Sequence, residues 1–202
     1  MTIYLRLIKE LNLEPYLKIL LEKNTANRAP YHNLYHTLCV MKNAYMIAGA
    51  EAVSDEDERT LCVAALFHDF DHSAGKLKDV ENVKNAISNF LEYSQESPEV
   101  NEKIVDIIKA TEYPYVIEDS KLNHLQKIIR DADLLQICAD NYLQMNILGL
   151  SEELNIPLDK FATGTISFLK GLKFYTEYAK SKIEEVFDNR VEELEFLTNI
   201  LK

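Results

Sequence analysis

The chain has 202 residues, 47% of them hydrophobic, with 33 acidic against 22 basic side chains and a formal net charge of −11. A field of that sign repels phosphate backbones and anionic lipid, so duplex nucleic acid and membranes are poor partners; an anionic substrate needs local cations or a bound metal ion. Length and composition suit one domain with a sizeable core.

Three cysteines, Cys39, Cys62 and Cys138, lie far apart among apolar neighbours with no CxxC spacing, the pattern of free thiols in a reducing cytosol. Met1 to Arg6 continues into an amphipathic pattern and lacks the apolar core of a signal peptide, and no window approaches the ~18 apolar residues of a membrane span. The expected location is the cytoplasm. Apolar residues recur at helical spacing almost throughout, as at Leu5, Ile8, Leu11 and at Ile104, Ile107, Ile108, and no stretch alternates like a strand. The pattern predicts an all-α, single-domain helical bundle.

Taken in order, the first helix is predicted from Thr2 to Lys23 with a break at Glu14-Pro15, followed by a loop through Asn24 to Arg28. Pro30 suits the first turn of a helix reaching Met46 or beyond, which carries His32 and His36 on one face. Ser54, with Asp55, Glu56 and Asp57 after it, is an N-cap signal for the helix running through Cys62 to His68. The segment Ser73 to Asp79 reads as a loop, and Val80 to Tyr93 as a helix with Val83, Ile87, Phe90 and Leu91 inward. Ser97-Pro98 starts another helix that runs to about Thr111, and Pro114 bars its continuation. A helix from His124 to about Ala139 carries Arg130-Asp131-Ala132-Asp133 between apolar pairs. The remaining chain, with a break at Asn155-Ile156-Pro157 and Gly171 within a helical pattern, reads as two or three more helices, the last spanning Ser181 to Leu201 as a solvated surface helix.

Phe67-His68-Asp69-Phe70-Asp71-His72 ends a segment that otherwise reads as core. Carboxylates in an apolar setting need a partner, a hydrogen bond or a metal. With His36 and Asp133, the pair His68-Asp69 offers two imidazoles and two carboxylates from three helices. Such mixed N/O ligation suits Mn, Fe, Co, Ni, Zn or Mg with positions left open for water or substrate. The spacing His32-x-x-x-His36 is also that of zinc proteases, but Asn33 stands where those need a glutamate base.

Tyr31-His32-Asn33-Leu34-Tyr35-His36, then Phe67-His68-Asp69, then Asp131-Ala132-Asp133-Leu134, together resemble the signature of the HD superfamily of metal-dependent phosphohydrolases, and more distantly that of cyclic nucleotide phosphodiesterases. The resemblance implies a single HD-type domain over residues 1–202, with a motif-bearing core at about 28–135 and C-terminal helices over 140–202. Phe187-Asp188-Asn189-Arg190 resembles a terminal F-x-x-R element. The implied metal ligands are His36, His68, Asp69 and Asp133, binding one ion or two, with Asp69 also counted as catalytic. His32 stands where the phosphodiesterases place a general acid. His72 and Asp131 are expected to support a ligand or to serve a second ion, while Lys76, Lys78 and Glu81 are expected near substrate phosphate. The glycine at Gly75 comes one place later than in the phosphodiesterase pattern, which argues against cyclic nucleotide specificity.

The implied activity is hydrolysis of a small phosphorylated molecule, a nucleotide or related ester, by a monoesterase or diesterase. The alternatives are a di-iron HD-type oxygenase and a non-catalytic ligand-binding module. The apolar faces of the final helices also suit burial against a second copy in a homodimer.

Overall fold

The computed structural model describes residues 1–201 as ten α-helices, with no strand among them. These are α1 (Ile3–Glu10), α2 (Glu14–Lys23), α3 (Leu34–Ala50), α4 (Asp55–Phe67), α5 (Asp79–Tyr93), α6 (Pro98–Lys109), α7 (His124–Leu134), α8 (Leu150–Glu153), α9 (Leu158–Gly171) and α10 (Glu177–Ile200). The all-α expectation holds, and no helix among the described residues is long and apolar enough to cross a membrane.

The fold is centred on α4. Ser54 caps it by accepting the Asp57 amide, and four acidic residues in its first turn complement the helix dipole. From Thr60 to His68 every residue is buried, so the helix is enclosed on all sides. It packs against α3 and α6, and α3 packs in turn against α7. Ring contacts of Phe67 with Tyr16, Phe70 and Phe90, with centroids 5.4–5.5 Å apart, anchor the end of α4 where the His-Asp pair emerges. A smaller apolar cluster of Ile137, Tyr142, Ile147, Ala162, Leu169 and Leu194 joins the C-terminal helices, and Leu172 and Ile183 contact both clusters.

Local chemistry moves some predicted boundaries. The N-terminal segment forms two helices, because Asn12 adopts a left-handed conformation (φ 55°) between them, and Pro15 sits in the first turn of α2 rather than interrupting a longer helix. Pro30 lies outside α3. Asn33 is the N-cap, its side chain accepting the amides of Tyr35 and His36. His32 therefore precedes the helix and does not share a helical face with His36, although their ring centroids are still only 5.6 Å apart. Leu91, expected inward, is 51% exposed, whereas Val83 and Phe90 are buried. Starts at Ser97-Pro98 and near His124 fall as expected; at the latter Asn123 and Gln126 form a reciprocal capping box. The last helix begins earlier than predicted, at Glu177, and buries Ala179, Leu194 and Thr198 while most of its surface is solvated.

Candidate metal centre

His36 lies in the first turn of α3, His68 follows the last residue of α4, Asp69 is next to it in the turn, and Asp133 lies in the last turn of α7. His36 Nε2 is 3.2 Å from both Asp69 Oδ2 and Asp133 Oδ1. His68 Nε2 is 2.9 Å from Asp69 Oδ2 and 3.8 Å from Asp133 Oδ1. Neither nitrogen has a hydrogen-bond partner despite complete burial. Nitrogens and carboxylate oxygens this close, yet not aligned for hydrogen bonds, have the spacing of adjacent ligands on one cation. The His68 ring is preset for that role, since its Nδ1 donates to the Ala65 carbonyl at 2.8 Å and leaves the Nε2 lone pair facing the carboxylates. The donor set fits a divalent ion.

The electrostatics agree. Burial disfavours the charged imidazole at both histidines, but the carboxylates outweigh it: Asp133 and Asp69 raise His36 to about 10, and Asp69 with Asp133 raises His68 above its ordinary value. Burial would likewise raise the two carboxyl groups, yet His68 and His32 hold Asp69 well below the usual range, and His36 with His68 lowers Asp133. The site thus stores positive charge as protons that a cation can replace.

A second cluster adjoins the first. His32, His72 and Glu153 offer ligand atoms that all lie within 4.8 Å of one another. Glu153, the last residue of α8, accepts the amides of Tyr31 and His32 through Oε2 at 2.9 and 3.0 Å, and its Oε1 contacts His32 Nδ1. Burial would raise this carboxyl, but the bonds from His32 and Tyr31 bring it down to about 2. His72 stacks on His32 with centroids 3.7 Å apart, and burial followed by repulsion from His32 lowers it to about 4. The Ala74 amide donates to its Nδ1, leaving Nε2 to face Asp79 Oδ1 at 3.9 Å.

Two glycines let the Glu153 segment approach the histidine loops. A Cβ on Gly149 would lie 2.8 Å from the Pro30 carbonyl oxygen, and one on Gly75 (φ 78°) would lie 2.9 Å from the Glu153 carbonyl oxygen. Gly149 ends a single π-helical stretch, Leu143–Gly149, a geometry that often marks functional sites.

On α7, neighbouring charges go to different tasks. Arg130 is buried, donates to the Ala110 and Ile117 carbonyls at 2.7 and 3.2 Å, and stacks on Tyr115. Asp131 turns toward the start of α10, accepting the Tyr175 and Thr176 amides and the Thr176 hydroxyl at 2.7–3.0 Å. Asp133 alone of the three comes within 3.8 Å of both His36 and His68, while Asn43 donates to the Ala132 carbonyl at 3.0 Å and ties α3 to this turn. The F-x-x-R element also braces the segment beyond Asp133: Arg190 donates to the Ile137 and Ala139 carbonyls at 3.0 Å. Asp71 is committed elsewhere, accepting the Thr25 amide and hydroxyl at 2.8 Å.

Both clusters border a cavity of about 560 Å³ whose wall includes His32, His72, Asp79 and Asp133. Lys76, Lys78 and Glu81 are exposed and outside the wall; Leu77 and Asp79 line it between them. Sequence reasoning missed Glu153 and Asp79. Asp79 was visible as an acidic helix start, but nothing local distinguishes Glu153 from its neighbour Glu152.

Residues 33–137 match the family model described as HD domain. The solved structure of a predicted HD superfamily hydrolase from an uncultured Thermotogales bacterium superposes with a TM-score of 0.57 at 21% identity, over 95% of this chain and 94% of that one. At that identity the likeness bears on the fold. No curated protein matches the sequence at a significant level. The chain belongs to the HD domain family, a family of metal-dependent hydrolases.

Proposed function

We propose that the protein is a phosphohydrolase acting on a small phosphorylated molecule, a nucleotide or related phosphate ester, and that it works as a single domain in the cytoplasm. The observation that carries this reading is the pair of buried, unpartnered Nε2 atoms of His36 and His68, facing Asp69 and Asp133 at the edge of an open cavity. A divalent ion held by these four residues supplies a Lewis acid for a phosphoryl oxygen and an acidified water. Asp69, held ionised and beside both histidines, orients the attacking water by accepting its hydrogen bond. His32, with Nδ1 anchored by Glu153 and its ring on the cavity wall, presents Nε2 to protonate the leaving oxygen.

A two-ion centre is the second reading, favoured by the convergence of His32, His72 and Glu153. In it His32 becomes a ligand and loses its proton-donor role, and an oxygenase chemistry of two irons becomes accessible. One experiment separates these readings. Protein stripped by chelator is reloaded with single metals, its metal content is measured, and hydrolysis is followed across nucleotides, cyclic nucleotides and sugar phosphates. Hydrolysis that depends on one ion per chain, and is abolished in Asp69→Asn, supports the first reading. Equal activity of stripped protein, or of His68→Ala and Asp69→Ala, would sink it; two irons with oxygen uptake would establish the alternative.

A further inference from the structure

The walls of the cavity carry a message about the substrate that the metal cluster does not. Beyond the His-Asp rim, the wall is built mainly from Tyr113, Tyr115, Phe161, Phe168, Leu134 and Leu169 and other aliphatic side chains, with a few neutral polar groups such as Asn82 and Thr111 among them. Among the described residues no lysine or arginine lines it. Of the cations around it, Lys76 and Lys78 lie exposed on the loop outside the wall, and two others are already engaged. Arg130 lies behind Tyr115 with its donors on the Ala110 and Ile117 carbonyls and the Tyr175 hydroxyl. Lys173, on an adjoining groove that shares Phe168, is paired with Asp119.

The negative side is well supplied. Asp79 and Asp133 face the cavity, with Asp69 and Glu153 immediately behind. One phosphoryl group can bind directly to a single divalent ion, most of whose charge these carboxylates already offset. A second or third phosphate would meet aromatic rings, carboxylates and a few neutral polar side chains, and no lysine or arginine. Apolar walls around a cavity of this size bind the flat or branched hydrocarbon part of a ligand, while a few polar groups set its orientation. Two such groups are available, because Tyr142 and Asn146 line the cavity and each keeps a buried side-chain oxygen without a partner.

We infer that the substrate carries a single phosphoryl group on an uncharged, ring-bearing, largely apolar moiety, and that polyphosphates and small polyol phosphates are discriminated against. This rests on the phosphohydrolase reading for its turnover but not for its binding, so the two are tested apart. Binding is measured by calorimetry on protein at saturating Mn²⁺, with naphthylmethylphosphonate, methylphosphonate and naphthylmethyl diphosphate as probes.

The naphthyl compound is expected to bind at least about tenfold more tightly than methylphosphonate, and its diphosphate counterpart at least about tenfold more weakly than the monophosphonate. Phe161→Ala and Phe168→Ala, both at half-buried positions, should each cut the naphthyl advantage several-fold. Leu154→Lys places a cation on the cavity wall at a residue 43% exposed, where folding is not at stake, and should narrow the discrimination against the diphosphate. Equal affinity for the two phosphonates, or a wild-type preference for the diphosphate, overturns the inference.

Turnover is compared for naphthylmethyl phosphate and glycerol phosphate, which share alkyl leaving groups, so a ratio in kcat/KM reports the pocket and not the chemistry. A naphthyl preference in binding with no hydrolysis of any ester removes the phosphohydrolase reading and leaves the pocket assignment standing. Hydrolysis with a preference for glycerol phosphate does the reverse.

Discussion

Replacing Glu153 by glutamine probes the residue that joins α8 to the histidine loop. The carboxylate is fully buried, accepts two backbone amides at 2.9 and 3.0 Å, and contacts His32 Nδ1. Glutamine preserves the shape and can still turn an oxygen toward the amides, but it removes the charge and aims an NH2 group at Nδ1. Hydrogen bonds to a charged acceptor contribute about 1.5–3 kcal/mol each against about 0.5–1.5 for neutral ones; with part of the loss offset by easier desolvation, the variant should lose ~1–3 kcal/mol of stability at pH 7. Linkage fixes the pH window. The folded carboxyl, at about 2, lies below its ordinary value of 4.5, so its contribution is present above 4.5 and is lost as pH falls toward 2. The gap between wild type and Glu153→Gln in urea midpoints should therefore be widest near neutrality and close between about pH 4.5 and pH 2. In turnover, a His32 ring that has lost its charged anchor is held less firmly at the cavity wall, at a cost of about 1–2 kcal/mol, which predicts a roughly tenfold fall in kcat. Unchanged midpoints at pH 7 together with an unchanged kcat would refute the reasoning, for then the carboxylate anchors neither the loop nor the imidazole.

Metal binding should release protons, because His36, raised to about 10, is protonated at pH 7 and His68 is raised as well. Calorimetric titration with Zn²⁺ in two buffers of different ionisation enthalpy should show release of about one proton per ion or more at pH 7, and a buffer-independent enthalpy would contradict the ligand assignment. Asp131→Ala should lower stability by about 3–5 kcal/mol, since it strips the start of α10 of a charged acceptor for two amides and a hydroxyl. Its metal affinity should stay within a few-fold of wild type; a collapse in affinity with little change in thermal midpoint would make Asp131 a ligand in place of Asp133.

Helices and caps were legible because their signals are local. Ser54 with its acidic first turn and Ser97-Pro98 each announce a start within a few residues, and the buried run of α4 follows from an apolar stretch without interruption. The same locality explains the misplaced start of α3: Pro30 and Asn33 are both acceptable openers, and the choice fell to Asn33 because its side chain satisfies two amides that proline at position 30 would leave to water. The His68-Asp69 pair and Asp133 were readable as polar groups in apolar surroundings. Asp131 was equally conspicuous on that criterion, yet it serves α10, and only the direction of each side chain around the last turns of α7 distinguishes the two.

Glu153 lay beyond reach for a deeper reason. Periodicity indicates which positions are buried, but the partner of a buried charge is chosen by chain crossings far away in sequence. Here the crossing depends on Gly149 admitting the Pro30 carbonyl and on Gly75 admitting the backbone of Glu153 itself, so that a carboxylate 121 residues distant reaches His32. The charge at Glu153 and the close approach at those glycines are thus one feature. A bulkier residue at either position would push the segment outward, separate the carboxylate from the Tyr31 and His32 amides, and release the imidazole that the proposed reaction needs held at the cavity wall.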